Sequence, residues 1–140
     1  MLFVPNGFIV QEFVHPDIYA ELKDSCWRLI DNRLLWTMQE IRKRFGKPVM
    51  VNNWHKDGDF KYRGLRPFEC SVGSKWSDHK FGRGVDFDVA GKTAEEVRQD
   101  ILKNQKTVDA YKHITVIEDN VTWVHLGFRN WSGGILVVSP

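Results

Sequence analysis

SDHKFGRGVDFD, residues 77–88, is where the chain changes character. From Val85 onward the apolar Val85, Phe87 and Val89 alternate with Asp86 and Asp88, the period of a strand with one buried face. Just before it, Gly82 and Gly84 interrupt the chain, and glycine turns tightly without steric cost. A histidine on the incoming arm, His79, can thereby meet a carboxylate on the outgoing strand, Asp86.

Downstream, Thr93 and Glu96 form a capping box for a helix to about Asn104, with Ala94, Val97 and Ile101 on one face. Two strands follow, 114–118 and 121–128, joined by a tight Asp119-Asn120 turn that suits a hairpin. On the second, Trp123, His125 and Gly127 share a face, and Val124, Leu126 and Phe128 share the other. Residues 135–138 (ILVV) make a last strand. Upstream, Pro16 and Asp17 open a helix expected to reach about Ile30. Asp31 caps a second, with Leu34, Leu35, Met38, Ile41 and Phe45 at helical spacing before Gly46 and Pro48. Residues 48–53 read as a strand that enters a long irregular stretch, 54–84, of the length that in compact domains is often functional. The order predicts an α+β fold. It is a small single domain over residues 1–140, with N-terminal helices and a central, mainly antiparallel sheet.

Composition excludes several function classes. Hydrophobic residues make up 42% and charged residues 27% of the 140, ordinary for a globular chain. No apolar run reaches the ~18 residues of a membrane span, so no membrane insertion is expected. MLFVPNGFIV at the start holds Pro5, Asn6 and Gly7 and lacks a basic beginning, so the chain reads as made in the cytoplasm without a signal peptide. Cys26 and Cys70 match no metal-ligand spacing and read as free thiols. Net charge is +2, but residues 42–83 carry eleven basic and four acidic side chains. No nucleic-acid motif accompanies that charge, so no nucleic-acid partner is expected.

His79, Asp86 and His125 form the candidate metal set. Two histidines and one carboxylate are a common catalytic zinc set that leaves a fourth position for water. With five His and eighteen acidic residues in the chain, such a triple also arises by chance. The wording around it is more specific. S-x-H-x-x-G-x-A-x-D, followed by W-x-H on a later strand, is the zinc signature of D-Ala-D-Ala carboxypeptidases and of the L-alanyl-D-glutamate endopeptidases of bacteriophage lysins. The chain resembles that family at Ser77, His79, Gly82, Asp86 and His125. FGKPVMVNNW (45–54) followed by RGLR (63–66) resembles the segment that precedes the signature in relatives, so the likeness spans residues 32–131.

The resemblance implies an α+β fold, a single Zn2+ held by His79, Asp86 and His125, and cleavage of peptidoglycan stem peptides. It aligns Arg66 with an arginine that holds a substrate carbonyl or carboxylate by forked hydrogen bonds, with Arg63 as the close competitor. Ser77 and Trp123 fall at positions that touch a ligand or the substrate. Trp54, Phe60, Tyr62, Trp76 and Trp131 are candidates either for the cleft or for packing.

The chain also departs from the family. Many relatives carry Glu or Asp three residues before the last histidine as general base, and here that residue is Thr122. The family's alanine is Gly84. Small relatives with the same E-D-x-V-x-W-x-H wording retain a glutamate at Glu118, which is therefore the expected base. In an ideal hairpin, however, Glu118 and Asp119 would stand roughly 10 Å or more along the strand from His125. Asp88, Asp78 and His113 remain alternatives. The expected function is a zinc peptidase acting on peptidoglycan stem peptides, as a monomeric phage lysin or virion-associated hydrolase. The alternative, favoured by Thr122, is a non-catalytic zinc-stabilised module of a phage particle.

Overall fold

In the computed structural model, which describes residues 2–140, three α-helices and five strands form an α+β domain. Helix α1 spans Pro16–Leu22, α2 Asn32–Phe45 and α3 Ala94–Asn104. Asp31 caps α2 by accepting from the Arg33 amide at 2.8 Å, and Gly46 ends it in the left-handed region at φ 61°. Leu34, Leu35, Met38 and Ile41 are buried, each side chain contributing about 1.5–3 kcal/mol. Thr93 and Glu96 make the capping box of α3, which buries Val97 and Ile101.

Strands β1 (Val49–Met50), β2 (Gly84–Val89), β3 (Val116–Glu118), β4 (Val124–Gly127) and β5 (Leu136–Val138) lie in the order β1-β2-β4-β3-β5. All pairings are antiparallel except that of β5, which joins β3 in parallel. Helices α2 and α3 pack on the sheet, and Val85, Phe87, Leu126 and Phe128 join their apolar faces in the core. Side chains alternate across a strand, so Asp86 and His125, cross-strand partners in the β2–β4 ladder, point to the opposite face.

Three elements depart from the sequence reading. The helix expected from Pro16 to Ile30 ends at Leu22, where Lys23 takes a φ of 50°, and continues as a 3-10 turn over Lys23–Leu29. No side chain of α1 is fully buried, so core packing does not hold it straight, whereas the neighbours Cys26 and Trp27 are both drawn inside. The strand expected at 48–53 pairs only at Val49–Met50. Asn52 then leaves the ladder, its side chain donating to the Val14 carbonyl at 3.2 Å and accepting from the Arg63 amide at 2.9 Å.

The third departure bears on the site. The Asp119-Asn120 hairpin is not a two-residue turn: β3 and β4 pair as Val116 with Gly127 and Ile117 with Leu126, which leaves residues 119–123 as a wide connection. Arg98 of α3 holds it open, donating to the carbonyls of Trp123 at 3.0 Å and Val121 at 3.1 Å.

Gly82 is conformationally required. It sits at φ 69°, and a Cβ there would run into the Leu29 carbonyl oxygen. Gly82→Ala is expected to cost about 2 kcal/mol or more, readable as a lower thermal midpoint. An unchanged midpoint would show that this turn relaxes freely.

Candidate metal centre

His79 stands on a 3-10 turn, Asp78–Phe81, whose N-cap Ser77 accepts from the His79 amide at 3.3 Å. Gly82 and Gly84 then return the chain as β2, and a Cβ at Gly84 would press on the His79 backbone nitrogen at 2.8 Å. That return brings Asp86 to His79, with Nε2 3.2 Å from Oδ2. From β4, His125 Nδ1 lies 2.7 Å from Asp86 Oδ1. The ligand atoms of the three residues all lie within 4.8 Å of one another. Four ligands at zinc bond lengths of about 2.0–2.1 Å in tetrahedral array stand about 3.3 Å apart, so the cluster has the right size for that ion.

The protonation pattern fits a cation as well. His79 Nδ1 donates to the Gly64 carbonyl at 3.0 Å, which leaves Nε2 as the lone-pair nitrogen aimed at a carboxylate. Two electron-rich atoms so placed are satisfied by a metal between them, and a ligand imidazole bonded to a carbonyl through its other nitrogen is the usual support. Burial pushes the His79 pKa down, outweighing the pull of Asp86, and so favours the neutral, ligating form. Burial is also the largest influence on Asp86 and would raise its pKa. The hydrogen bond from His125, first among the opposing influences, helps to outweigh this and hold it below the usual carboxylate range.

The metal set opens on a cleft of about 530 Å³ lined also by Arg66, Trp76, Ser77, Asp78, Glu118, Trp123 and Arg129. Arg66 is buried. Its Nε donates to the Tyr62 carbonyl at 2.7 Å and its Nη1 to that of Val72 at 3.2 Å, leaving Nη2 3.6 Å from Asp86 Oδ2. Desolvation lowers its pKa, offset in part by Asp86 and Glu118. Arg63 is elsewhere: its Nη1 donates to Asp88 at 2.7 Å and its guanidinium lies 3.7 Å over the Phe60 ring.

Of the candidate bases, Asp88 is engaged by Arg63, Asp119 accepts from Ser139, and His113 packs edge-on against Trp36. None of the three lines the metal cleft. Thr122 lines a separate depression with Asp88 and Arg98. Asp78 is in the cleft but bound by Arg129. Glu118, in contrast, has no side-chain hydrogen-bond or ion-pair partner among the described residues. Along the β3–β4 register it comes next after the Ile117–Leu126 pair, beside His125, where facing Cβ atoms stand about 5 Å apart. The hairpin estimate of 10 Å or more is therefore overturned by the wide connection.

Among the aromatics only Trp76 and Trp123 line the cleft. Trp54 anchors to the Val14 carbonyl and Trp131 to that of Gly134, while Tyr62 packs beside His15. Sequence reading missed Arg129, although it continues the alternation of Trp123, His125 and Gly127.

No curated protein and no solved structure matches the chain. A sequence model of the family described as peptidase M15 matches residues 8–127, a span that holds the whole metal set, Glu118 and Arg66. With that match over most of its length, the chain belongs to the peptidase M15 family of zinc metallopeptidases.

Proposed function

We propose that the protein hydrolyses peptide bonds in the stem peptides of bacterial peptidoglycan, as a bacteriophage lysin or virion-associated hydrolase. One observation carries the reading: the His–Asp–His set shares its cleft with a carboxylate, Glu118, that has no hydrogen-bond or ion-pair partner among the described residues. Bound zinc would lower the pKa of water towards ~7 and polarise the scissile carbonyl. Glu118 would accept the proton of the attacking water and return it to the leaving amine. Trp123 and Ser77 would border the substrate chain, with Ser77 also capping the turn that carries His79. The alternative of a non-catalytic module drew its support from Thr122, and Glu118 supplies the acid–base group that Thr122 lacks. Among the described residues no helix is long and apolar enough to cross a membrane.

Zinc-loaded protein incubated with purified sacculi is expected to lower turbidity and release new amino termini, and a chelator should abolish both. Sacculi left intact across several wall chemistries, by protein that carries its zinc, would return the lead to the structural module.

Arg66 would hold a substrate carbonyl with what remains of its fork. Arg66→Lys is expected to lower kcat/KM by roughly 10- to 100-fold, the worth of a charged hydrogen bond at ~1.5–3 kcal/mol, with zinc content unchanged. Arg63→Lys should stay within about twofold of the parent, as its partners lie away from the cleft. The reverse ranking, in steady-state kinetics, would move the substrate clamp to Arg63.

A further inference from the structure

The face of β4 that carries Trp123, His125 and Gly127 runs on to Arg129, just beyond the strand. Gly127 leaves a gap on that face, and the Asp78 carboxylate fills it: a Cβ at Gly127 would meet Asp78 Oδ2 at 2.9 Å. Asp78 holds Arg129 in turn, with Nε 3.1 Å from Oδ1 and 2.9 Å from Oδ2. The Asp78 side chain is 12% exposed and that of Arg129 50%. The Arg129 amide donates to Thr115 Oγ1 at 2.7 Å. The arginine is thus fixed at its root and at Nε. Among the described residues its two terminal amino groups have no partner, and the side chain lines the metal cleft.

We propose that Arg129 is a substrate-recognition residue that binds a carboxylate of the peptide, with Asp78 as its positioning residue. The proposal rests on the peptidase reading above and adds the group recognised. A solvated surface arginine has no need of a nearly buried carboxylate, whereas a recognition arginine does: tethering Nε removes rotamers before the ligand arrives. The remaining Nη1–Nη2 edge is a planar fork that matches a carboxylate. The other arginine of the cleft, Arg66, is already spent largely on backbone carbonyls. Arg129 stands four residues beyond His125, about 13 Å along an extended strand. At about 3.3–3.6 Å per residue, the carboxylate recognised lies within about four residues of the bond cut. It belongs either to an acidic residue of the peptide or to its free C-terminus.

Binding distinguishes these sources. The probes are L-Ala-γ-D-Glu-L-Lys-D-Ala, the same peptide amidated at the glutamate α-carboxylate, the peptide amidated at the C-terminus, and the doubly amidated form. They are titrated calorimetrically into zinc-loaded protein carrying Glu118→Gln, to suppress turnover. The expected result is that one amidation weakens binding at least tenfold and names the carboxylate. Adding Arg129→Gln should weaken the acid peptide by the same factor and erase the difference between acid and amide. Asp78→Asn, with zinc content and melting unchanged, should reduce that difference. Equal losses for acid and amide peptides in Arg129→Gln, no acid preference in the parent, or no binding of any probe would each overturn the proposal. Hydrolysis by the wild type without acid preference defeats this inference alone. Acid-selective binding without hydrolysis by the wild type defeats the peptidase reading alone.

Discussion

Alanine at His79 or His125 is expected to strip the protein of its metal and to remove the stability that the metal confers. Wild type should carry one equivalent of zinc. A ligand at a hundred times its dissociation constant stabilises the folded state by about 2.7 kcal/mol, which for a domain of this size is on the order of 10 °C in melting midpoint. His79 is buried and His125 partly so, and the substitutions also remove contacts that exist without metal: His79 loses its bond to the Gly64 carbonyl and His125 its bond to Asp86. The informative quantity is therefore the zinc-induced rise in midpoint, measured on chelator-treated protein before and after adding zinc. Wild type should show the full rise and each variant almost none. A wild type whose midpoint ignores added zinc would remove the metal centre from the account, whatever the variants do.

The parts of the structure that were legible in the sequence are those whose causes are local. Asp31, the apolar spacing of Leu34 to Ile41 and Gly46 delimit α2 with no help from the rest of the chain. The same holds for the Thr93–Glu96 capping box and for the alternation through Val85 and Val89. His79 and Asp86 were legible because one tight glycine-spaced return holds both, and His125 because a strand pattern surrounds it. What stayed hidden depends on partners outside the local element, most of them far away in sequence. Arg98 captures the carbonyls of Val121 and Trp123, and nothing in the residues of the hairpin announces an arginine on another element. Arg66 is a nearer case: the Tyr62 and Val72 carbonyls, four and six positions away in irregular chain, occupy two of its nitrogens and leave only the third for a substrate. The Asp78–Arg129 pair is separated by 51 positions and exists because Gly127 has no side chain to fill the space. In each case an arginine satisfies groups that local rules leave open, and its long side chain makes the choice of partner a matter of tertiary geometry.

Glu118→Gln is expected to lower kcat/KM by about 10²–10⁴-fold, the usual contribution of a general acid–base group, at unchanged zinc content. The amide keeps the shape of the carboxylate and removes its basicity, so a loss of that size without a change in melting reports chemistry. Three features of the structure make this the residue to alter. The β3–β4 register brings Glu118 alongside His125, its side chain lines the metal cleft, and it has no competing partner among the described residues. Asp78, the other carboxylate in the cleft outside the His–Asp–His set, already receives Arg129 on both of its oxygens. Thr122, at the position where many relatives carry the base, lies in the depression beside Arg98 and Asp88 instead. A hydroxyl with no activating group accepts no proton near neutral pH, so Thr122→Ala should fall within about twofold of wild type. The wide connection explains both results at once, because the turn that draws Thr122 towards Arg98 also leaves Glu118 beside the metal set. Full activity in Glu118→Gln would transfer the role to Asp78. A large loss in Thr122→Ala instead would mean that the 119–123 connection rearranges when substrate binds.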